Sequence, residues 1–197
     1  MKTKVKIAAV AAVLLTVMFR LAMAEDAKKE EVKENKYLGD KQCIACHKDL
    51  DDSVKMWEAS KHAKAYETLA TDAAKKFSSD PQKDPACLQC HVTGFGKEGG
   101  FAVDLKDDKK ETVAGVTCES CHGAGQKYLA IFAKAKAKKE APDKKELAAA
   151  GLITPDEKKC LECHNEKSPT FDKEKPFKFD EMYKAIKHAV KAEAETK

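Results

Sequence analysis

Four copies of one five-residue pattern constrain this chain more than anything else in it. They are Cys43-Ile44-Ala45-Cys46-His47, Cys87-Leu88-Gln89-Cys90-His91, Cys118-Glu119-Ser120-Cys121-His122 and Cys160-Leu161-Glu162-Cys163-His164. They use all eight cysteines and four of the six histidines. A histidine falling directly after every pair by chance is on the order of one in a million at this histidine content, so the pattern is specified. Single C-x-x-C units also occur in thioredoxin-like redox pairs and in halves of zinc ribbons, but neither requires a histidine beside each pair. Disulfides in an exported chain would not require it either. C-x-x-C-H is instead the haem c attachment pattern. On one turn of helix the two thiols lie near one porphyrin edge, where they form thioethers with the vinyl groups, and the next imidazole reaches the iron. Four covalent haem c groups are therefore expected, on Cys43 and Cys46, Cys87 and Cys90, Cys118 and Cys121, and Cys160 and Cys163. His47, His91, His122 and His164 are the proximal iron ligands of this reading.

The first 24 residues read as a secretory signal. Lys2, Lys4 and Lys6 precede an apolar run from Ile7 to Phe19, and Ala22-Met23-Ala24 forms a small-residue cleavage site before Glu25. That run is short of the roughly 20 residues needed to span a bilayer, and no later stretch is apolar enough. No integral membrane segment is expected after cleavage, and the destination is the periplasm or the outside of the cell. Removing Lys2, Lys4, Lys6 and Arg20 takes the net charge from +4 to zero, so overall charge gives no reason to expect nucleic acid as a partner.

The chain is 36% charged and 7% aromatic, too polar to bury a generous core from its own side chains. The 173 residues after position 24, shared among four sites, leave about 43 per cofactor, too few to insulate the haems from one another. The fold expected is a mostly α, single-domain multihaem cytochrome c, with closely packed haems forming the core and long loops between them.

Along the chain, residues 25–36 are a charged run that reads as a flexible leader, 37–192 as the tetrahaem domain and 193–197 as a tail. Asp52 to Thr71 reads as one helix with His62, Tyr66 and Leu69 on a common face. Gly94-Phe95-Gly96-Lys97-Glu98-Gly99 is a literal G-x-G-x-x-G, but it follows a haem motif rather than a strand, so no dinucleotide is expected. Its glycines serve either a close approach to a porphyrin or a tight turn. Lys127 to Leu152 reads as helical, Lys-rich and broken at Ala141-Pro142-Asp143, either a solvated face or a docking patch for an acidic redox partner. Thr154 is the expected N-cap of the helix bearing the fourth motif, with Pro155 next. Asp180 would cap a final helix running to Ala192, with Phe179, Tyr183, Ile186 and Val190 on its buried side.

Only His62 and His188 are spare, so at most two irons take a second histidine from this chain. Both are candidate distal ligands. Met56 and Met182, the only methionines after the signal, are a further source of ligands, although each also fits a packing role.

The segments Ser60-Lys61-His62-Ala63, His91-Val92-Thr93-Gly94-Phe95-Gly96, Gly115 to Gly123 and Ser168-Pro169-Thr170-Phe171 leading to His188 resemble the tetrahaem cytochrome c-554 family. The resemblance runs from Tyr37 to about Val190. It implies a mostly helical single domain of stacked haems, three of them bis-histidine and the second in sequence, that of His91, open. His62 and His188 match distal ligands of the family. Relatives place a further histidine after the third motif, where this chain reads Gly123-Ala124-Gly125-Gln126-Lys127-Tyr128. The haem of His47 is then the one short of a ligand, with Tyr128 or another side chain as a replacement.

The leading expectation is an electron carrier that meets redox partner proteins and has no substrate chemistry of its own. Two others stand beside it: an enzyme reducing nitric oxide or hydroxylamine at a five-coordinate haem, and a subunit of an extracellular haem filament in which a neighbouring chain supplies ligands. An oligomer is compatible with the sequence.

Overall fold

The computed structural model describes residues 34–188. The signal, all but the end of the leader, residues 189–192 of the expected last helix and the tail lie outside the described residues. From Asn35 onward the described residues form one domain, mostly helical, as the sequence led us to expect.

Among the described residues eleven α-helices follow in order: α1 Asp40–Leu50, α2 Ser53–Ala59, α3 Ala65–Thr68, α4 Asp72–Lys75, α5 Pro85–His91, α6 Asp107–Glu111, α7 Cys118–His122, α8 Gln126–Lys138, α9 Lys144–Ala149, α10 Glu157–Leu161 and α11 Phe179–Met182. A 3₁₀ turn, Tyr183–Ala185, ends the series. Among the described residues there are no strands, only an isolated antiparallel bridge between Val92 and Ala114. Most helices are too short to persist alone and depend on tertiary contacts.

The apolar interior is small. Leu69, Leu88, Val92, Phe101 and Val113 form its buried cluster, with Tyr66, Phe95 and Leu105 packed against it. It lies around the second motif, whose Leu88 is fully buried in the cluster and whose Cys87 packs against it. Polar groups do the rest of the fastening. Thr93, fully buried, uses its hydroxyl on Gly115 O at 2.8 Å, the Thr117 hydroxyl at 2.9 Å and the Ser120 hydroxyl at 2.8 Å, and accepts from Thr117 N at 2.9 Å. This knot ties the exit of the second motif to the start of the third.

Three local expectations change. The helix expected over Asp52 to Thr71 is interrupted, because Ser60 is extended (φ −83°, ψ 160°) and its hydroxyl donates to Trp57 O at 2.6 Å. The residues after it form a turn, which places His62 off the helix, and α3 begins only at Ala65. The helix of the fourth motif is capped by Asp156, whose side chain accepts from Lys159 N at 2.9 Å, so Thr154 lies outside it. A carboxylate at that position also complements the helix dipole. Asp180 does not cap the last helix, since α11 already starts at Phe179. Phe179, Tyr183 and Ile186 are half-buried, and Phe179 stacks on Tyr183 with centroids 4.8 Å apart.

The glycine run after His91 is a tight loop that neither follows a strand nor opens a helix. Gly94, Gly96 and Gly99 all take positive φ. A Cβ on Gly99 would strike the carbonyl of Tyr37, whose N–H donates to Glu98 O at 2.9 Å. The glycine is needed for this close passage of the entering chain. Asn35 and Lys36, the last residues of the expected leader, are also held: Asn35 Nδ2 donates to Ala124 O at 2.6 Å, and Gln126 N donates to Lys36 O at 3.2 Å.

Candidate haem-binding site

Three motifs lie within helices: the first inside α1, the second at the end of α5, the third as the whole of α7. The fourth runs off the end of α10, and Asn165 Nδ2 closes it by donating to Leu161 O at 2.8 Å and Glu162 O at 3.0 Å. A helical turn puts the two cysteines of C-x-x-C on one side, three residues apart. All eight cysteines are free of disulfides. Among the described residues no three His, Cys, Asp or Glu side chains converge on a metal-ion cage.

The motifs approach one another through their sulfurs. Cys43 lies beside Cys118, and that contact raises the Cys43 thiol while lowering Cys118. Cys90 lies beside Cys163, which pulls the Cys90 thiol down to about 7 and is itself raised. Cys121 is raised by burial first and then by the nearby Cys160. The first motif thus adjoins the third, the second the fourth, and the third the fourth.

The imidazoles are oriented as iron ligands need to be. His91 Nδ1 donates to Ala65 O at 2.7 Å, His122 Nδ1 to Ile153 O at 3.0 Å and His188 Nδ1 to Ile186 O at 3.0 Å. A carbonyl only accepts, so the proton sits on Nδ1 and Nε2 keeps its lone pair. His47 Nδ1 donates to the Asp51 carboxylate at 2.9 Å. His164 stacks on Phe177, with centroids 4.6 Å apart. Burial lowers the pKa of His62, His122 and His164, which favours the neutral form that binds metal.

His62 faces His164 with ring centroids 6.0 Å apart, and His188 faces His122 at 5.9 Å. Two imidazoles bound to one metal from opposite sides, with bonds of roughly 2 Å, place their ring centres about 6 Å apart. The donor pairs fit a haem iron between them. The turn that carries His62 is held in place by Val116, whose N–H donates to His62 O at 3.0 Å and whose carbonyl accepts from Trp57 Nε1 at 2.9 Å. A cleft beside these rings is lined by His47, Trp57, His62, Cys118, His122 and His188.

The chain matches, over residues 42–123, the family described as cytochrome c554 and c-prime. It is 33% identical to cytochrome c-554 of Nitrosomonas europaea over 215 aligned positions, 95% of this chain and 85% of that protein. The chain belongs to the cytochrome c-554 family. The solved structure of the reduced state of cytochrome c554 from Nitrosomonas europaea superposes with a TM-score of 0.63 at 32% identity, covering 78% of this chain and 84% of that one. The protein is an electron-transfer cytochrome with four haem c groups, as the motifs led us to expect, and redox partners follow from that role. No helix among the described residues is long and apolar enough to cross a membrane.

Two residues important to this site have no motif of their own. Glu119 occupies a variable position of the third motif, yet it is 1% exposed. Its carboxylate accepts from Leu38 N at 2.9 Å and Gly39 N at 2.7 Å, and from Gly125 N at 2.7 Å. It fastens the entry of the first motif to both ends of the third. Asp51 is the second, one helical turn beyond His47; its i+4 spacing is the signal that could have found it. Tyr128 is already engaged, its hydroxyl donating to Gly123 O at 3.0 Å and its pKa raised by burial. Met182 is 53% exposed.

Proposed function

We propose that each C-x-x-C pair holds one haem by two thioethers, with His47, His91, His122 and His164 as proximal ligands. His62 is the distal ligand of the haem on the fourth motif and His188 of the haem on the third. The 6.0 Å and 5.9 Å ring separations carry this reading. When bound, the haems supply one-electron iron chemistry. The chain's own part is to hold them edge to edge and to set each iron's ligands.

Electrons pass in the order second, fourth, third and first motif, or the reverse. The sulfur neighbours Cys90 and Cys163, Cys121 and Cys160, and Cys43 and Cys118 support that sequence. The first and second motifs are then the terminal sites, where partners meet the chain. Residues 1–24 direct export to the periplasm, residues 25–36 lead into the domain, and 37–192 form it.

The test is a pyridine haemochrome count on the purified protein together with a potentiometric titration. Four c-type haems per chain that take and release four electrons are expected. A count below four, or haem lost on extraction into acidic acetone, overturns the attachment reading.

A further inference from the structure

All six histidines lie among the described residues, and four are used in the two facing pairs. His47 and His91 remain, and no histidine is left to oppose either. Tyr128 does not supply the missing ligand, because its hydroxyl is given to Gly123 O.

The two remaining histidines differ in what stands behind them. His91 donates to a neutral carbonyl, Ala65 O, with the Thr68 hydroxyl 3.3 Å away. His47 donates to a carboxylate. The Asp51 side chain is 1% exposed, and its other oxygen accepts from Ser53 N at 2.8 Å, so its position is fixed from both sides. A carboxylate draws the Nδ1 proton more strongly than a carbonyl does and makes Nε2 the better donor. A better donor favours the more positive, ferric iron and lowers its reduction potential.

We infer that the iron at His47 is a second open site, which takes a small diatomic ligand on the face away from His47, and that Asp51 is a positioning residue that sets it below the open iron of His91 in potential. This rests on the haem attachment proposed above. The two open irons of one chain are thereby unlike: one is backed by a carbonyl and easily reduced, the other backed by a buried carboxylate and held ferric longer.

The experiment uses the full haem-loaded protein. After a haem count of four, the reduced protein is titrated with carbon monoxide and its resonance Raman spectrum recorded. Two carbon monoxide molecules per four haems are expected, with two iron–histidine stretching bands, the His47 band at higher frequency. D51N keeps an oxygen for Ser53 N but replaces the carboxylate; it should move the upper band down and shift one of four redox waves to higher potential. One carbon monoxide per four haems overturns the open site while leaving the attachment reading intact. Fewer than four haems overturns both. Unchanged bands and waves in D51N, or a single band in wild type if D51N does not load, overturn the role of Asp51.

Discussion

The imidazoles of His62 and His164 face one another at 6.0 Å with their planes crossed at 69°. His188 and His122 repeat the relationship at 5.9 Å and 58°. Each pair brings a histidine outside the motifs to a motif far away in sequence. His62→Ala should convert the haem of the fourth motif, and His188→Ala that of the third, from low-spin to high-spin. Electron paramagnetic resonance checks this: each variant gains one high-spin centre and loses one low-spin signal of the strongly anisotropic kind that crossed imidazole planes produce. A variant that keeps every low-spin signal contradicts the pairing.

Glu119 joins three backbone N–H groups from two separate parts of the chain, and its burial leaves them no water to turn to. Glu119→Ala strands all three donors and should cost on the order of 4 kcal/mol, while Glu119→Gln, which keeps one acceptor oxygen, should cost about half of that. Denaturant unfolding followed by far-ultraviolet circular dichroism measures both. Equal losses for the two variants would place the effect elsewhere than in the carboxylate.

Two residues compete to cap the helix of the fourth motif, and the geometry selects Asp156. Asp156→Ala should destabilise the protein by about 1 kcal/mol, and Thr154→Ala by less than about 0.5 kcal/mol. Thermal melts of the two variants in parallel decide between them.

Acid acts on this protein in two windows. Burial lowers His62, His122 and His164 from the ordinary histidine value of 6.5, so the fold binds fewer protons than the unfolded chain. Their neutral forms favour the fold fully above 6.5, and stability falls as the pH drops below that value. Iron binding at the same nitrogens works in the same direction. Asp51 acts in the same direction at lower pH: burial pushes it up, but the hydrogen bonds from Ser53 and His47 outweigh this and leave it below 3.8. Its contribution is present above 3.8 and is lost as the pH falls through its lowered pKa. A pH series of unfolding midpoints should therefore show a first decline starting near 6.5 and a second below 3.8. A flat response between 7 and 5 would contradict the first.

What was legible in the sequence follows from which contacts are contiguous. The thioether attachment and proximal ligation we propose need only five consecutive residues, so the four candidate sites could be picked out directly from the sequence. The distal ligation proposed for His62 depends on where the chain turns, and the break at Ser60 that takes His62 off the helix arises from a serine closing back on Trp57, a local hydrogen bond that competes with the helical periodicity. Thr154-Pro155-Asp156-Glu157 contains two capping residues, and pattern alone favours the first. Glu119 lies at a position where the motif accepts any residue; its role comes from Leu38 and Gly39, which sequence distance hides. Asp51 stands four residues after His47, but a carboxylate one turn along a helix normally reads as solvated surface until its burial is known.

The side-by-side sulfurs of Cys43 and Cys118, and of Cys90 and Cys163, bear on how this molecule is made. If the polypeptide closed before its cofactors were in place, an oxidising compartment would join those thiols to each other across motifs, and the wrong covalent links would be sealed inside. With haem on every pair, as proposed above, that outcome is avoided when each pair is occupied while the chain is still open, so that the final shape forms around what it already carries.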